Sequence, residues 1–402
     1  MITGCKNNVL DQEKIPETVA KAYVENMFSF NNISNGRSAD DFCIPEFFYE
    51  MKVEEEDGTV KTFADYTDAE KALMVEAWKD SQISEYAEKF AEDSFLMEGI
   101  AVQNEAFRQG AARSARCAED KKEEVFTASY VKAYEKGIKK LLKAREAAEE
   151  ESGDGEAEPE KPEEKKDWNK RWDENLNRDT LKKFVENYKR GRVLYRHWHI
   201  VGHSSMMYME DEDVKMYTKK DLWTGTTKAA ITSYPPHNDW PGQVDGVQLE
   251  PIGYWCQEDE GLAGAKDVKV LKVVGQYSWF KWVNGKFKVP GQQIGESTAV
   301  NNKAVSYADK IKTEKDEQGN IIKKGRPYVP AGAKAKQPNA QYVAEFIMYK
   351  NSDEYSYCSQ LVWKGYKESG TDYNFAILLP WISPFDIQAS AKTKAVTEWT
   401  NY

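Results

Sequence analysis

Histidine is nearly missing from this chain: four residues among 402, all between positions 197 and 237. Any chemistry that needs an imidazole has to draw on that window. Cysteine is sparse as well. Five thiols in a chain of this length cannot make a disulfide scaffold, which needs dense cysteines in a short sequence. Positive charge is in the minority, with 56 Lys and Arg against 67 Asp and Glu and a formal net charge of −11. That balance argues against a nucleic-acid binder that works through broad basic surfaces. No apolar run approaches the ~20 residues that span a bilayer. What remains is a polar chain, 40% hydrophobic and 31% charged, with enough apolar residues for a core. At ~150 residues per domain its length predicts two or three domains.

Ile2-Thr3-Gly4-Cys5 resembles the lipobox of bacterial lipoproteins, in which the cysteine carries the lipid. The resemblance implies lipidation at Cys5, an extracytoplasmic place in a bacterial cell envelope, and membrane attachment only through that anchor. The polar residues that follow (Lys6, Asn7, Asn8, Asp11, Gln12, Glu13) suit a tether over residues 1–30. The competing expectation is a cytoplasmic protein with a disordered tail.

Residues 31–190 read as a mainly helical region. An aromatic cluster (Phe42, Phe47, Phe48, Tyr49) leads to an Asp57-Gly58 step that predicts a hairpin turn. Thr67 with Glu70 three residues on predicts a capped helix start. Ile83, Tyr86, Ala87 and Phe90 recur at i, i+3, i+4 and i+7, one face of a helix. A second stripe runs through Val131, Tyr134, Ile138 and Leu141 or Leu142. Residues 146–166 change character to charge, Gly and Pro with only small apolar side chains. Such a segment buries too little to offset its ordering entropy, so it is expected as a solvated linker rather than an acidic binding tail. A further helix should carry Leu181, Phe184, Val185 and Tyr188 on one face and end at Gly191. No catalytic constellation stands in this half, and the partner of the helical region, if it has one, is not written in it.

From 191 to 402 short β-branched and aromatic runs alternate with Gly, Pro and Asn. VLYRHWHIV, AAITSY, GVQLEPIGYW, VKVLKVVGQY and FAILLPWI read as strands of an antiparallel or mixed sheet. One helix stands out among them, from about Cys358 to Ser369, stopped by Gly370. The fold class expected is α+β.

Cys358 opens that helix. A helix N-terminus carries partial positive charge and unpaired N–H groups, which favour thiolate over thiol and can hold an oxyanion. The competing reading is a buried structural cysteine. A nucleophile needs a base, and His203, after Gly202 at the start of a strand-like run, is the first candidate. His237, in the loop YPPHNDWPG, is the second, or a residue of a substrate loop. His197, His199 and His203 share odd parity and on one unbroken strand could hold zinc. Gly202 interrupts that strand, and no metal or cofactor is expected.

In order along the chain, GHSSMMY, AITSYP, DGVQLEPIGYW, YCSQLVWKGYKESG and ISPFDI resemble the YiiX-like permuted papain-fold family, relatives of the NlpC-type cell-wall peptidases. The resemblance covers roughly residues 190–395. It implies a circularly permuted papain-like domain with a small antiparallel sheet and a Cys-bearing helix. It also implies Cys358 as nucleophile and His203 as base. The family places a polar or acidic residue on the next strand to orient the imidazole, and that position falls near Thr232. A Thr hydroxyl supports an imidazolium less than a carboxylate does. The orienting group then comes from elsewhere, or the enzyme is weak or inactive.

The chemistry implied is acyl transfer by a cysteine amidase or peptidase. The Cys358 N–H is expected in the oxyanion hole, with Tyr355 or Tyr357 as a second donor, unless both tyrosines only pack. Trp240 and Trp255 flank the Pro/Gly loop and Gln248–Tyr254 and are expected to form a cleft wall. Peptidoglycan peptides are the expected substrate. Lipid amides or thioesters on the same fold, and an inactive envelope adaptor, are the alternatives.

Overall fold

The computed structural model describes residues 14–35, 37–42, 44, 48–49, 52–152, 178–196, 202–210, 229–235, 242–256, 268–274, 279–283, 286–288, 295–328, 350–369, 382–390 and 392–399. The chain divides into two compact units, residues 1–137 with 277–292, and residues 138–276 with 293–402.

The first unit is built on α1 (Lys14–Ser34), α2 (Asp68–Glu92) and α3 (Ser94–Ser114), with the start of α4 (Lys122–Ser152). The Thr67 hydroxyl accepts from the Glu70 N–H while the Glu70 carboxylate accepts from the Thr67 N–H at 2.8 Å, so the expected cap is formed. Tyr86 and Phe90 are buried as their spacing requires, with Tyr23 of α1 edge-on to Tyr86 at 5.1 Å. Phe48 joins a second aromatic cluster with Phe28, Phe63 and Trp78, whereas Phe42 and Tyr49 are exposed. The Asp57-Gly58 turn joins β1 (Lys52–Glu55) to β2 (Val60–Thr62) as an antiparallel hairpin. Unforeseen from the sequence, β1 also pairs in parallel with β8 (Trp279–Val283), which pairs with β9 (Lys286–Lys288). A hairpin from the C-terminal half of the sequence thus completes a four-stranded sheet with β1 and β2. The α4 helix runs to Ser152, into the segment expected to be linker, because Glu-Ala-Ala-Glu-Glu-Glu is a strong helix former whatever its charge. The rest of that linker lies outside the described residues.

The second unit holds an antiparallel sheet of six strands in the order β12-β7-β3-β4-β5-β6. These are β3 (Val193–Arg196), β4 (His203–Met207), β5 (Ala230–Tyr234), β6 (Gly246–Glu250), β7 (Val268–Val273) and β12 (Thr393–Trp399). Helix α5 (Arg178–Glu186) packs Leu181, Phe184 and, just past its end, Tyr188 into the core with Leu194, Met207, Tyr254 and Val270. Gly191, expected to end this helix, instead adopts φ +86 a few residues later. The second half of GVQLEPIGYW is not strand but a short 3-10 turn, Ile252–Cys256. Helix α6 (Thr298–Lys310) packs beside α7 (Cys358–Glu368), and α7 lies on β4 and β5. The short α8 (Pro384–Ala389) follows and meets α7. The segment FAILLPWI lies outside the described residues up to Ile382.

The outer edge of β6 is closed by chain from another region. Thr313 N–H donates to Val247 O at 2.7 Å and Val247 N–H to Arg326 O at 3.0 Å, beside the small hairpin β10 (Glu314–Lys315) and β11 (Ile321–Lys323). Gly246, at φ +83, is what lets this chain approach: a Cβ there would stand 2.1 Å from Arg326 O. Gly246→Ala should therefore destabilise the protein by about 2 kcal/mol or more, from left-handed strain and the backbone clash together. The measurement is a urea melt, and a loss under ~0.5 kcal/mol, the scale of an ordinary surface change, would show that the edge yields without cost.

Candidate active site

Strands β3 to β6 are buried along nearly their whole length, so both faces are covered. Buried strand positions are ordinarily apolar. Here they include His203, Ser204, Ser205, Thr232, Ser233, Gln248 and Glu250. That concentration of buried polar groups marks the site.

Register places them. Met207 pairs with Ala230, Ala230 with Glu250, and Thr232 with Gln248. By the two-residue strand period, His203, Ser205, Thr232, Gln248 and Glu250 share one face. Two strands away from β4, Glu250 thus turns its carboxylate to the imidazole. His203 Nε2 lies 3.3 Å from Glu250 Oε2 and 3.4 Å from Thr232 Oγ1. The Thr232 hydroxyl donates to Ser204 O at 3.1 Å, so its lone pairs are left to face the ring. The other Glu250 oxygen, Oε1, accepts from the Trp255 indole N–H at 2.8 Å and from the Ser205 hydroxyl. Trp255 is also stacked on the imidazole, centroids 5.2 Å apart, and Tyr234 meets it edge-on at 5.1 Å. The ring is therefore fixed in plane and in rotation.

Cys358 reaches the same ring from the first turn of α7, and its thiol hydrogen-bonds His203. With Nε2 turned to Glu250, the nitrogen that serves the thiol is Nδ1. The approach to the helix is pinned from several sides. Ser356 N–H donates to Pro327 O at 2.8 Å, and the Ser233 hydroxyl donates to Ser356 O. Gln360 Nε2 donates to Lys350 O and Ser352 O, each at 3.1 Å, and Lys364 Nζ reaches Asp353 at 2.6 Å. The Ser359 hydroxyl donates to Ile382 O at 2.8 Å.

Burial pushes the Cys358 thiol up, but the His203 hydrogen bond and charge, with main-chain N–H groups of Ser204 and Ser359, outweigh it and hold the thiol below its ordinary value. Burial pushes the His203 imidazole down, and the Glu250 carboxylate and Cys358 together carry it above its ordinary value. Both shifts favour one state, thiolate beside imidazolium. Such a pair can attack an electrophilic carbon and then return a proton to a leaving group.

The structure brings together Cys358, His203 and Thr232, and adds a group the sequence did not reveal, the carboxylate of Glu250. One signal was present: Glu250 is the only charged residue of an otherwise uncharged strand, on the parity of Gln248. Tyr357 is buried, and its hydroxyl accepts from Ile382 N–H at 3.1 Å. Tyr355 is likewise buried. Trp255, expected in a cleft wall, is fully buried as the support of His203 and Glu250, because its indole N–H has a buried partner. His237, Trp240, Cys5, His197 and His199 lie outside the described residues. Comparison with protein-family models, with curated proteins and with solved structures found no match.

Proposed function

We propose that this chain is a cysteine amidase or peptidase whose catalytic residues are Cys358, His203 and Glu250, on a circularly permuted papain-like domain of the NlpC type. The observation that carries this reading is the buried line from the thiol through the imidazole to a carboxylate that is itself held by Ser205 and Trp255. A structural cysteine needs none of these partners. In the reaction, the Cys358 thiolate attacks an amide carbonyl, and His203 gives its proton to the departing amine. His203 then takes a proton from water, which releases the acid and restores the thiolate. Glu250 keeps the imidazole oriented and supports its charge, with Thr232 as a second, weaker partner of Nε2.

Peptide bonds of the cell wall are the substrate this reading favours, on the strength of the lipobox-like start and the family resemblance. Among the described residues no helix is long and apolar enough to cross a membrane. Attachment, in this reading, is through lipid on Cys5. The test is incubation of the protein with purified peptidoglycan fragments and, separately, with long-chain N-acyl amides, products being read by mass spectrometry. New amino groups from the wall peptides, absent with Cys358→Ala, are expected. Release of fatty acid alone would make the protein a lipid amidase instead. No turnover of either, from a protein whose Cys358 also fails to react with thiol reagents, would leave an adaptor.

A further inference from the structure

We propose that the Ser204 hydroxyl is an oxyanion donor of this site, acting with the N–H of Cys358; the inference rests on the cysteine-hydrolase reading above. Ser204 is fully buried on β4, and its Oγ has no hydrogen-bond partner among the described residues. A buried hydroxyl without a partner is uncommon and calls for a reason. The hydroxyls around it are all engaged: Ser205 on Glu250, Thr232 on Ser204 O, Ser233 on Ser356 O and Ser359 on Ile382 O.

Its direction follows from register. Met206 and Ile231 are paired across β4 and β5. Ser204 lies two residues before Met206 and Ser233 two after Ile231, so both serines face the same side of the sheet. On that side Ser233 reaches the carbonyl of Ser356, just ahead of Cys358. The Ser204 main-chain N–H meanwhile donates to Cys358 Sγ. The partnerless hydroxyl therefore belongs to a residue already touching the reacting sulfur, and it points toward the start of α7. A helix N-terminus alone is a general feature; one with a spare buried donor aimed at it is a built anion site.

The step it serves is the first. The thiolate lone pair forms the C–S bond, and the carbonyl π pair moves onto oxygen, which becomes the oxyanion. The Cys358 N–H and the Ser204 O–H donate to that oxygen. On collapse the pair returns to C=O and the C–N bond breaks. The amine takes that bonding pair and the proton from the His203 imidazolium.

The experiment compares two reactions of Cys358 in the full chain at pH 7. Iodoacetamide displaces iodide at a saturated carbon and builds no oxyanion. 4-Nitrophenyl acetate acylates through a tetrahedral oxyanion and releases 4-nitrophenolate. Ser204→Ala should slow the acylation burst by roughly a hundredfold, the usual loss for one such donor, with alkylation changed by less than about twofold. Ser204→Thr keeps the hydroxyl and should stay within about tenfold of the parent. Equal slowing of both reactions in Ser204→Ala, or slowing in Ser204→Thr as great as in Ser204→Ala, would overturn the role. So would an unchanged burst in Ser204→Ala. A parent protein inert to both reagents would sink the cysteine-hydrolase reading itself, a result separate from any effect of Ser204.

Discussion

Iodoacetamide should alkylate Cys358 with an apparent pKa below that of a reference thiol, near ~8.5, and His203→Ala should move it above that reference. The signs follow from opposed effects. Burial alone pushes this thiol up, and the imidazole beside it pulls it down by more. Removing the imidazole leaves burial in place with only the main-chain N–H groups against it. A reference thiol is about 3% thiolate at pH 7, so the two directions together predict a fall in alkylation rate of roughly tenfold to a hundredfold in His203→Ala. Peptide mass spectrometry reads the two reactions separately, and Cys117, a partly exposed free thiol, serves as comparison within the same molecule. Hydrolysis should follow a bell in pH. In the ion-pair reading the thiol titrates below the imidazole, so the acid limb is protonation of the thiolate and the alkaline limb is deprotonation of the imidazolium; the directions of both shifts favour that order. The ordinary thiol lies above the ordinary imidazole, so a lowered thiol and a raised imidazole each increase the share of the pair held as thiolate and imidazolium. Identical profiles for Cys358 and Cys117, in parent and variant alike, would remove the support for an activated pair.

How much of this site could be read beforehand depended on the range of the interactions. The start of α7 is local: a cysteine ahead of Val362 and Tyr366 at helical spacing, and both are buried as that spacing demands. The Thr67–Glu70 cap and the Tyr86–Phe90 face are local too, and the structure forms both. Glu250 is not local. Its meeting with His203 requires β5 to lie between β4 and β6 and the register to put even positions of β5 and β6 on the face of odd positions of β4. Nothing in DGVQLE specifies that. The pairing of β1 with β8 is more distant still, joining segments at Lys52 and Trp279 that share no sequence signal. The place of Trp255 is hidden from the sequence for a different reason. An apolar run such as Ile252-Gly253-Tyr254-Trp255 reads equally as strand or as buried turn, and only the fold decides which way its indole points.

Glu250→Gln should lower the rate of hydrolysis by about a hundredfold to a thousandfold while leaving the fold in place. The substitution preserves shape and removes charge. The Glu250 oxygen Oε1 receives two donors, the Trp255 indole and the Ser205 hydroxyl, so the glutamine oxygen must occupy that position. Its NH2 is then turned to His203 Nε2, where Oε2 stood at 3.3 Å. A donor facing Nε2 requires that nitrogen to accept, which places the ring proton on Nδ1. Nδ1 then cannot take the thiol proton, and the imidazolium, protonated at both nitrogens, is opposed by the amide. The neutral thiol is favoured and the nucleophile is lost without any loss of packing. Two further signs are fixed by the same geometry. Glu250 raises the imidazole, so its loss must shift the alkaline limb of the bell to lower pH. The Cys358 thiol, deprived of imidazolium, must titrate at higher pH. Thr232→Val, which removes the weaker partner at 3.4 Å and no charge, should cost less than about tenfold. Should Glu250→Gln leave the pH profile in place and Thr232→Val displace it, the hydroxyl and not the carboxylate would be the group that orients His203. A carboxylate held by the Trp255 indole and the Ser205 hydroxyl would then serve the sheet alone.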